Sequence, residues 1–424
     1  MSRDLGRGGA RRPEEVVVER GYGATFCTLR FRPVDTATVC RIRVRRRHRN
    51  ERYRRRMPTA LTLDRLRRFA IARSLFKPTT LRRAITKLGF VQLDPIRAPA
   101  RAQDLTLRHR VHDYRAGELE ASYPRLGVEE DFFVNYGILP RATQQLMHPR
   151  TARSEWPRAR WAQAEAVLAF VRSRGVVHPR EVDAAFEHGT AKNWFGGNSR
   201  ASTQLLDGMH YRGLLRVARR EGGVRLYAPQ LAHEREGPAD PDAHLDALID
   251  VAVATYAPLP AATLSRFVMW LGSAAAPQWR DRRRAALARA KARLPQATVG
   301  GGLWFWPDGE SPGGRRFADD GILGEGLRLL APFDPVVWDR ERFERFWGWA
   351  YRFEAYTPAP KRLRGYYALP MLWRGQVIGW ANAAVRGGRL QVQPGFVSGR
   401  APSDAAFAPA LQEEEARLER FLGL

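Results

Sequence analysis

The sequence predicts an α+β fold in which tandem winged-helix (helix-turn-helix) domains precede a β-rich C-terminal domain. Three observations lead to this fold class. Apolar residues recur at helical spacing after Leu61, residues 160–230 contain three helical stretches and a glycine-turned hairpin, and residues 351–392 contain short extended segments. The 424 residues are enough for roughly two to four domains.

These patterns divide the chain into five segments. We expect a basic arm or spurious extension (1–56), an N-terminal winged-helix-like domain (57–155), a central winged helix (156–235), a third winged-helix-like domain (236–320), and a β-rich domain with a terminal helix (321–424). Residues 1–56 hold 17 arginines and 6 acidic residues, with poor hydrophobic periodicity. They are either a disordered arm or an artefact of a start assigned upstream of Met57.

In the N-terminal segment, the spacing predicts helices from about Leu61, from Leu81 to Leu88, and from Ala100 to Val111. We expect Thr79 or Thr80 to cap the second helix. Gly89 should end it, because glycine adopts the left-handed conformation at little cost.

The central segment carries the clearest fold signal. The expected elements are helices over Trp161–Arg174, Arg180–His188 and Ser199–Tyr211, then strands over Leu214–Ala218 and Val224–Tyr227. Three helices and a hairpin make a winged helix. Its role is either DNA binding, which the arginine density favours, or protein contact and packing.

The last two segments are less regular. We expect Asp240 to cap a helix from Pro241 to Ala257, and Leu303–Trp306 to form a closing strand. The expected C-terminal elements are extended segments at 351–356, 366–372, 376–381 and 389–392, and a helix over 404–422.

The charge of the chain indicates a polyanionic partner. Lysine and arginine total 71 against 44 acidic residues, a net charge of +27, and nearly all of the cations are arginine. Arginine pairs with phosphate through two parallel hydrogen bonds, which favours a nucleic acid. A GC-rich genome would explain arginine in place of lysine, but it would not explain the excess of positive charge.

Two classes of protein are excluded by composition. Cys27 and Cys40 are the two cysteines, so residues 57–424 hold no cysteine-ligated zinc, iron–sulfur cluster or disulfide. No apolar run approaches the ~18 residues of a membrane span. We therefore expect a cytoplasmic, nucleoid-associated monomer without membrane contact.

The stretch from Gly89 to Pro95 carries the candidate catalytic residues. Phe90, Val91 and Leu93 favour an extended backbone, which would place Gln92 and Asp94 on one face. An amide and a carboxylate side by side can position and activate a water molecule. The same pattern also fits a polar edge-strand face before a proline, because Q-x-D is a weak motif.

Candidate DNA-binding residues lie in three places. They are Arg101 and Arg108 on the expected helix 100–111, Arg216, Arg219, Arg220 and Arg225 in the hairpin, and Lys361, Arg362, Arg364 and Tyr366 in a basic-aromatic loop. Such a loop can follow phosphates and stack on a base. The tyrosines can equally belong to a core with solvated charges beside them.

Two blocks resemble the AlkZ/YcaQ-type DNA glycosylases. The first is Leu88-Gly89-Phe90-Val91-Gln92-Leu93-Asp94. The second comprises Leu330-Ala331-Pro332-Phe333-Asp334, Trp338-Asp339-Arg340, Arg345, Tyr351, Glu354, Tyr356, Pro358-Ala359-Pro360-Lys361-Arg362, Gly365-Tyr366-Tyr367 and Leu369-Pro370. The resemblance extends from about Leu61 to Val392, and its second block is the specific part.

The resemblance implies a bacterial repair enzyme that excises alkylated bases and unhooks interstrand crosslinks in double-stranded DNA. Gln92 and Asp94 would be the catalytic pair, and Asp94 would stabilise the cationic sugar or activate water while Gln92 holds that water. The enzyme would be monofunctional, with no metal and no cofactor. Departures at Gln103-Asp104, 135–138 and 380–384 indicate a divergent branch. The competing hypothesis is a non-catalytic winged-helix regulator.

Overall fold

The computed structural model describes residues 60–151, 154–186, 189–192, 198–230, 240–314, 317 and 326–424. The expectations for residues 1–56 lie outside this range. Thr59 to Leu424 form one compact unit. In the described residues, no helix is both long enough and apolar enough to cross a membrane.

Capped helices lead into the Gln92 motif. The first elements are α1 (Leu63–Ser74), α2 (Leu81–Leu88), β1 (Val91–Gln92) and α3 (Ala102–Leu107). The Thr80 hydroxyl accepts a hydrogen bond from the Arg83 amide, and Gly89 ends α2 with φ 74°. The predicted bounds of this helix are confirmed, and its C-cap fixes where β1 begins.

β1 belongs to a three-stranded antiparallel sheet. The next elements are α4 (Glu118–Ser122), β2 (Val128–Phe132), β3 (Tyr136–Pro140) and α5 (Arg141–Gln145). The strand order is β1-β3-β2, and Gln92 pairs with Gly137. A Cβ at Gly137 would lie 2.4 Å from the Phe90 ring and 2.5 Å from the Val91 carbonyl oxygen. The close approach of β1 to β3 therefore requires glycine.

The central part contains the three helices and the C-terminal hairpin that the sequence predicts, in the predicted order, with one further hairpin. It comprises α6 (Arg158–Arg174), α7 (Pro179–Phe186), β4 (Thr190–Lys192), β5 (Asn198–Arg200), α8 (Ala201–Tyr211), β6 (Leu215–Glu221) and β7 (Val224–Pro229). Gly222 and Gly223 form the β6–β7 turn with positive φ angles. The short β4–β5 hairpin between α7 and α8 was not predicted.

The third part begins at the expected cap. Its elements are α9 (Pro241–Tyr256), β8 (Leu259–Pro260), α10 (Ala261–Trp270), α11 (Arg283–Arg293), β9 (Gln296–Val299) and β10 (Gly302–Phe305). The Asp240 side chain accepts hydrogen bonds from the amides of Asp242 and Ala243, which confirms its predicted role. The strand order is β8-β10-β9.

The same order of elements occurs three times along the chain. In each copy a helix, a short extended segment and two further helices precede a hairpin, and the early extended segment pairs with the last strand. These pairings are β1 with β3, Val177 with Tyr227, and β8 with β10. In the first copy, the early strand is the one that carries Gln92.

The C-terminal part is a four-stranded antiparallel sheet with helices. It comprises β11 (Arg328–Leu329), α12 (Pro335–Trp338), α13 (Arg340–Trp347), β12 (Leu369–Trp373), β13 (Gln376–Arg386), β14 (Arg389–Phe396) and α14 (Phe407–Leu422), with strand order β11-β12-β13-β14. The expected strand at 351–356 is wrong, because this segment is irregular. Its groups bond to loops, as when the Tyr351 hydroxyl donates to the Ala368 carbonyl oxygen.

The parts of the chain share their cores. One side of α1 places Leu66 and Phe69 in a cluster with Leu248 of α9. Another side places Ile71 in a cluster with Phe343 of α13. Helix α1 is thus buried between α9 and α13, which both follow it by more than 160 positions of sequence. This burial holds the C-terminal part against the segment that carries the Gln92 motif.

Candidate functional site

The Gln92-Leu93-Asp94 motif begins in the sheet and then leaves it. The Leu93 amide donates a 3.1 Å hydrogen bond to the Tyr136 carbonyl oxygen, which extends the pairing of β1 with β3 by one bond. Pro95 has no amide hydrogen to continue it. The end of strand pairing before Pro95 therefore follows from the sequence itself.

Asp94 is a buried carboxylate held by its neighbours. It is 8% exposed. Its amide donates a 3.2 Å hydrogen bond to Gln103 Oε1, and its Oδ1 accepts a 2.9 Å bond from the Ile96 amide. Burial raises the pKa of Asp94, and the Ile96 bond opposes this increase. The result is an oriented carboxylate that accepts a proton more readily than a solvated one.

Tyr367 lies close enough to Asp94 to be affected by its charge. Burial raises the pKa of the Tyr367 phenol, and the charge of Asp94 raises it further. The hydroxyl is buried and has no hydrogen-bond partner among the described residues. The Gly365-Tyr366-Tyr367 motif therefore places the Tyr367 side chain near Asp94.

Gln92 is positioned by a tryptophan. The Trp338 indole Nε1 donates a 2.8 Å hydrogen bond to Gln92 Oε1. An indole nitrogen only donates, so the amide oxygen of Gln92 faces Trp338 and its NH₂ group points away. The rings of Tyr256 and Phe267, 4.8 and 5.3 Å away between centroids, hold the indole in place.

Asp94 lines an open cleft of about 400 Å³. This volume falls within the usual range for small-molecule sites, roughly 300–1,000 Å³. The other lining residues are Leu93, Pro95, Arg101, Gln103, Phe132, Tyr136, Asp207, His210, Arg220, Gly223 and Arg225. The cleft therefore lies between the end of the Q-x-D motif and the β6–β7 hairpin, and it has room for a nucleobase.

The hairpin arginines pair with carboxylates of this protein. Arg220 makes two 2.6 Å hydrogen bonds to the buried Glu130 of β2. Arg216 bonds in the same way to the neighbouring Glu129, at 2.9 and 3.2 Å. These ion pairs attach the hairpin to the first sheet, an arrangement that the phosphate-contacting expectation did not include.

The other candidate arginines have varied positions. Arg101 pairs with Glu120 at 2.6 Å and Arg225 with Asp207 at 2.8 Å, both at the cleft. Arg219 is half-buried and pairs with Glu221 at 2.9 Å. The side chain of Arg108 is only 4% exposed, and it bonds to the Leu329 carbonyl oxygen and to Glu414. In this structure Arg108 joins α3 to the C-terminal part.

The basic-aromatic loop carries the most solvent-exposed of the candidate DNA-binding residues. Lys361 and Tyr366 are exposed. The Arg362 guanidinium lies over the Tyr366 ring at 5.0 Å, and that of Arg364 lies 5.2 Å from the Trp349 ring. Arginine–aromatic stacking pre-orients these side chains while leaving donors available.

Sequence reasoning missed three residues of the site. Trp338 and Gln103 hold the motif, and Arg97 is exposed three residues after Asp94. Trp338 lies in the second block of the resemblance, and Gln103 is one of its departures. The sequence thus singled out Trp338 and Gln103 as positions of interest, but it did not indicate that either residue contacts the motif.

The described residues contain no cluster of side chains that could bind a metal ion. In those ranges, no group of three or more histidine, cysteine, aspartate and glutamate side chains is placed to hold a metal ion. The cleft that Asp94 lines also holds Asp207 and His210, but these side chains are not placed to hold an ion together with Asp94.

Comparisons with known proteins identify the family of this chain and a structure of similar fold. A family model described as DNA glycosylase AlkZ-like matches residues 85–421. Among solved structures, the Streptomyces sahachiroi DNA glycosylase AlkZ is similar, with a TM-score of 0.57 and 15% sequence identity over 86% of this chain and 97% of that one. At this identity, the structural similarity concerns the fold. Because the family model covers most of the chain, including the motif and its cleft, the protein belongs to the AlkZ-like DNA glycosylase family.

Proposed function

We propose that this DNA glycosylase hydrolyses the N-glycosidic bond of alkylated bases in double-stranded DNA, with Asp94 as the catalytic carboxylate. The observation that carries the proposal is the buried, hydrogen-bonded carboxylate at the wall of a base-sized cleft. Burying a carboxylate without a cationic partner costs free energy, and a protein that only binds DNA gains nothing from this cost.

The chemistry follows from the charges. Alkylation at purine N7 makes the base cationic, so it departs as a neutral molecule without an acid. The bond between C1′ and N9 breaks, its electron pair goes to the base, and the sugar develops oxocarbenium character. Ionised Asp94 stabilises that cation and takes a proton from the water whose oxygen bonds to C1′. The product is an abasic site, and no lysine adduct is needed.

Gln92 acts as the positioning member of the pair. Its oxygen is bonded to Trp338 and keeps one lone pair, while its NH₂ group is directed away. That group can donate to the attacking water or to the sugar–base unit. Trp338 fixes its direction, so less entropy is lost when the substrate binds.

The DNA-binding residues would be carried by a fold of repeated modules. We infer that the three copies of the helix-and-hairpin plan are winged helices within 57–155, 156–235 and 236–320, followed by a β-rich domain over 321–424. Lys361, Arg362, Arg364 and Tyr366, with Arg97 beside the motif, would contact the backbone near the lesion. Arg219 would add a hairpin contact. Interstrand crosslinks are a second proposed substrate, and the nucleoid is the proposed place of action of a monomeric enzyme.

The test uses a duplex with one N7-alkylguanine and a second duplex with a nitrogen-mustard crosslink. The wild type should produce an alkali-labile break at the lesion, and Asp94→Asn should be slower by about a hundredfold or more. A non-catalytic DNA-binding protein would bind both duplexes and break neither. Equal rates for the two proteins would rule out Asp94.

A further inference from the structure

The 356–366 loop, which runs from Tyr356 to Tyr366, exposes apolar side chains to an unusual degree. Leu363 is 80% exposed and Tyr356 79%. The next large apolar residues among those described, such as Met269 on α10, reach 48%. Scattered apolar residues need no explanation, but two nearly bare ones in one loop indicate an apolar contact that forms outside this chain.

The base of this loop is fixed. Glu354 accepts hydrogen bonds from the amides of Arg364 and Gly365, at 2.8 and 3.2 Å. Asn382 of β13 donates to the Arg364 carbonyl oxygen at 2.7 Å, and Arg362 donates to the Thr357 carbonyl oxygen at 2.8 Å. Both ends of the loop are therefore pinned while its apolar tips are exposed.

Gly365 allows this attachment. Its φ is 122°, and a Cβ there would lie 2.2 Å from the Asn382 side-chain oxygen. A side chain at this position would displace the Asn382 side chain, whose bond to Arg364 holds the loop to β13. The turn that attaches the loop to the sheet therefore requires glycine.

The loop lies beside the Asp94 site and carries positive charge. It continues directly into Tyr367, whose pKa is raised by burial and then by the nearby Asp94 charge. Tyr366 and Ala98 line the same small cavity, and Ala98 is four residues from Asp94. Lys361, on one side of Leu363, is exposed and suited to a phosphate.

We propose that the 356–366 loop is a wedge whose Leu363 side chain enters the base stack beside the lesion. Proteins that distort duplex DNA commonly insert an apolar side chain between base steps and neutralise the adjacent phosphates with cations. Insertion removes Leu363 from water and exposes the sugar–base bond of the neighbouring lesion to Asp94. The proposal rests on the proposed function, and it names the residue that opens the duplex.

The first measurement is of unstacking without chemistry. The probe is a duplex with 2-aminopurine next to an N7-methylguanine whose 2′-fluoro sugar resists hydrolysis. Wild type and Asp94→Asn should both raise the 2-aminopurine fluorescence on binding, whereas Leu363→Ala should lose most of that increase. Met269→Ala, which truncates an exposed apolar residue on α10, is the matched control and should behave as wild type.

The second measurement is of excision. Leu363→Ala should slow excision from the duplex by about tenfold or more, because unstacking costs a few kcal/mol per step. It should leave the rate on single-stranded DNA carrying the same lesion unchanged. Since Leu363 contacts little of the folded protein, the Leu363→Ala variant should have the same thermal midpoint as the wild type.

Three results would overturn the wedge. One is full fluorescence enhancement by Leu363→Ala, and another is an equal loss of rate on single and double strands. The third is a DNA-free dimer of the wild type that Leu363→Ala abolishes, which would make the tip a contact between copies. A failure of the proposed function is distinct, because it would appear as normal excision by Asp94→Asn with unstacking intact.

Discussion

The indole nitrogen of Trp338 lies 2.8 Å from Gln92 Oε1, across 246 positions of sequence. This bond connects the C-terminal block to the motif that follows α2. It orients the amide before any substrate arrives. A side chain that is not one of the reacting groups can therefore control the geometry of the proposed reaction.

The variant Trp338→Phe tests this control. Phenylalanine keeps the packing on Tyr256 and removes the donor, so the excision rate should fall by about tenfold or more. The free energy of unfolding should fall by only about 1 kcal/mol. In a double-mutant cycle with Gln92→Ala, the two losses should not add, because both act on one interaction.

A matched control is Trp306→Phe. Its indole donates a 3.1 Å hydrogen bond to the Glu310 carbonyl oxygen, in the segment that follows β10 and outside the Gln92 motif. It should lose similar stability and keep its excision rate. If both tryptophan variants slow excision alike, the role of Trp338 is structural.

Asp94→Asn should make the protein more stable at neutral pH while removing activity. Burial raises the pKa of Asp94 in the folded state. The aspartate therefore contributes stability below its unfolded pKa, and this contribution is lost as the pH rises through the folded value. Asparagine keeps an oxygen for the Ile96 amide and carries no charge to desolvate.

The measurement is the thermal midpoint of both proteins across pH. The advantage of Asp94→Asn should be largest at neutral pH and shrink in acid. In the wild type, the excision rate should rise with pH through the raised pKa and then level off. Asp308→Asn is the control, since Asp308 is exposed and accepts a comparable bond from the Gly309 amide. A variant at Asp94 that is less stable than wild type at neutral pH would contradict the argument.

The sequence predicted local structure well because local rules determine it. Helix α2, its Thr80 cap and its Gly89 terminus follow from residues within one turn of each other. The Asp240 cap followed from the same rules. The position of Gln92 at the start of an extended segment was therefore predictable.

Long-range partners were not predictable in this way. The hairpin arginines were expected to contact phosphate, yet Arg220 bonds to Glu130, ninety positions earlier. Periodicity tells which face of an element is polar, but not which opposite charge will face it after folding. The strand expected at 351–356 fails for a related reason, because Tyr351 and Glu354 bond through their side chains to residues 364–368 and the segment forms no strand pairing.

Arg220→Ala should therefore be a stability variant. It would leave Glu130 buried without its cation, which costs about 3–5 kcal/mol. Chemical denaturation should show this loss in the absence of DNA. The paired change Arg220→Met with Glu130→Gln should recover much of it, because no uncompensated charge remains. A variant Arg220→Ala of normal stability but weak DNA binding would instead support a phosphate contact.

Asp334 should have a structural role within the family block. Both Asp334 and Arg110 are fully buried, and they share two hydrogen bonds of 2.8 and 3.0 Å. Asp334 also accepts from the Val336 amide at the start of α12. Asp334→Ala should lower the free energy of unfolding by about 3–5 kcal/mol. Below its melting transition, it should retain the excision rate per folded molecule, which an active-site residue would not.

Lys361 and Lys291 form a natural pair for testing the DNA interface. Both are exposed lysines, one in the 356–366 loop and one on α11. Each phosphate contact releases about one counterion from the duplex, so log K falls with log salt at a slope proportional to the number of contacts. Lys361→Ala should reduce that slope by about one, whereas Lys291→Ala should leave it unchanged.

Fluorescence anisotropy of a lesion-bearing duplex over a series of salt concentrations gives both slopes. Among the described residues neither lysine side chain has a buried partner to lose, so neither change should alter the thermal midpoint. Equal reductions for the two variants would mean that the charge of the whole protein, rather than the loop, attracts DNA. A reduction confined to Lys361→Ala would place a phosphate within reach of the loop, and thereby bring the damaged strand to the side of the molecule on which Asp94 lines its cleft.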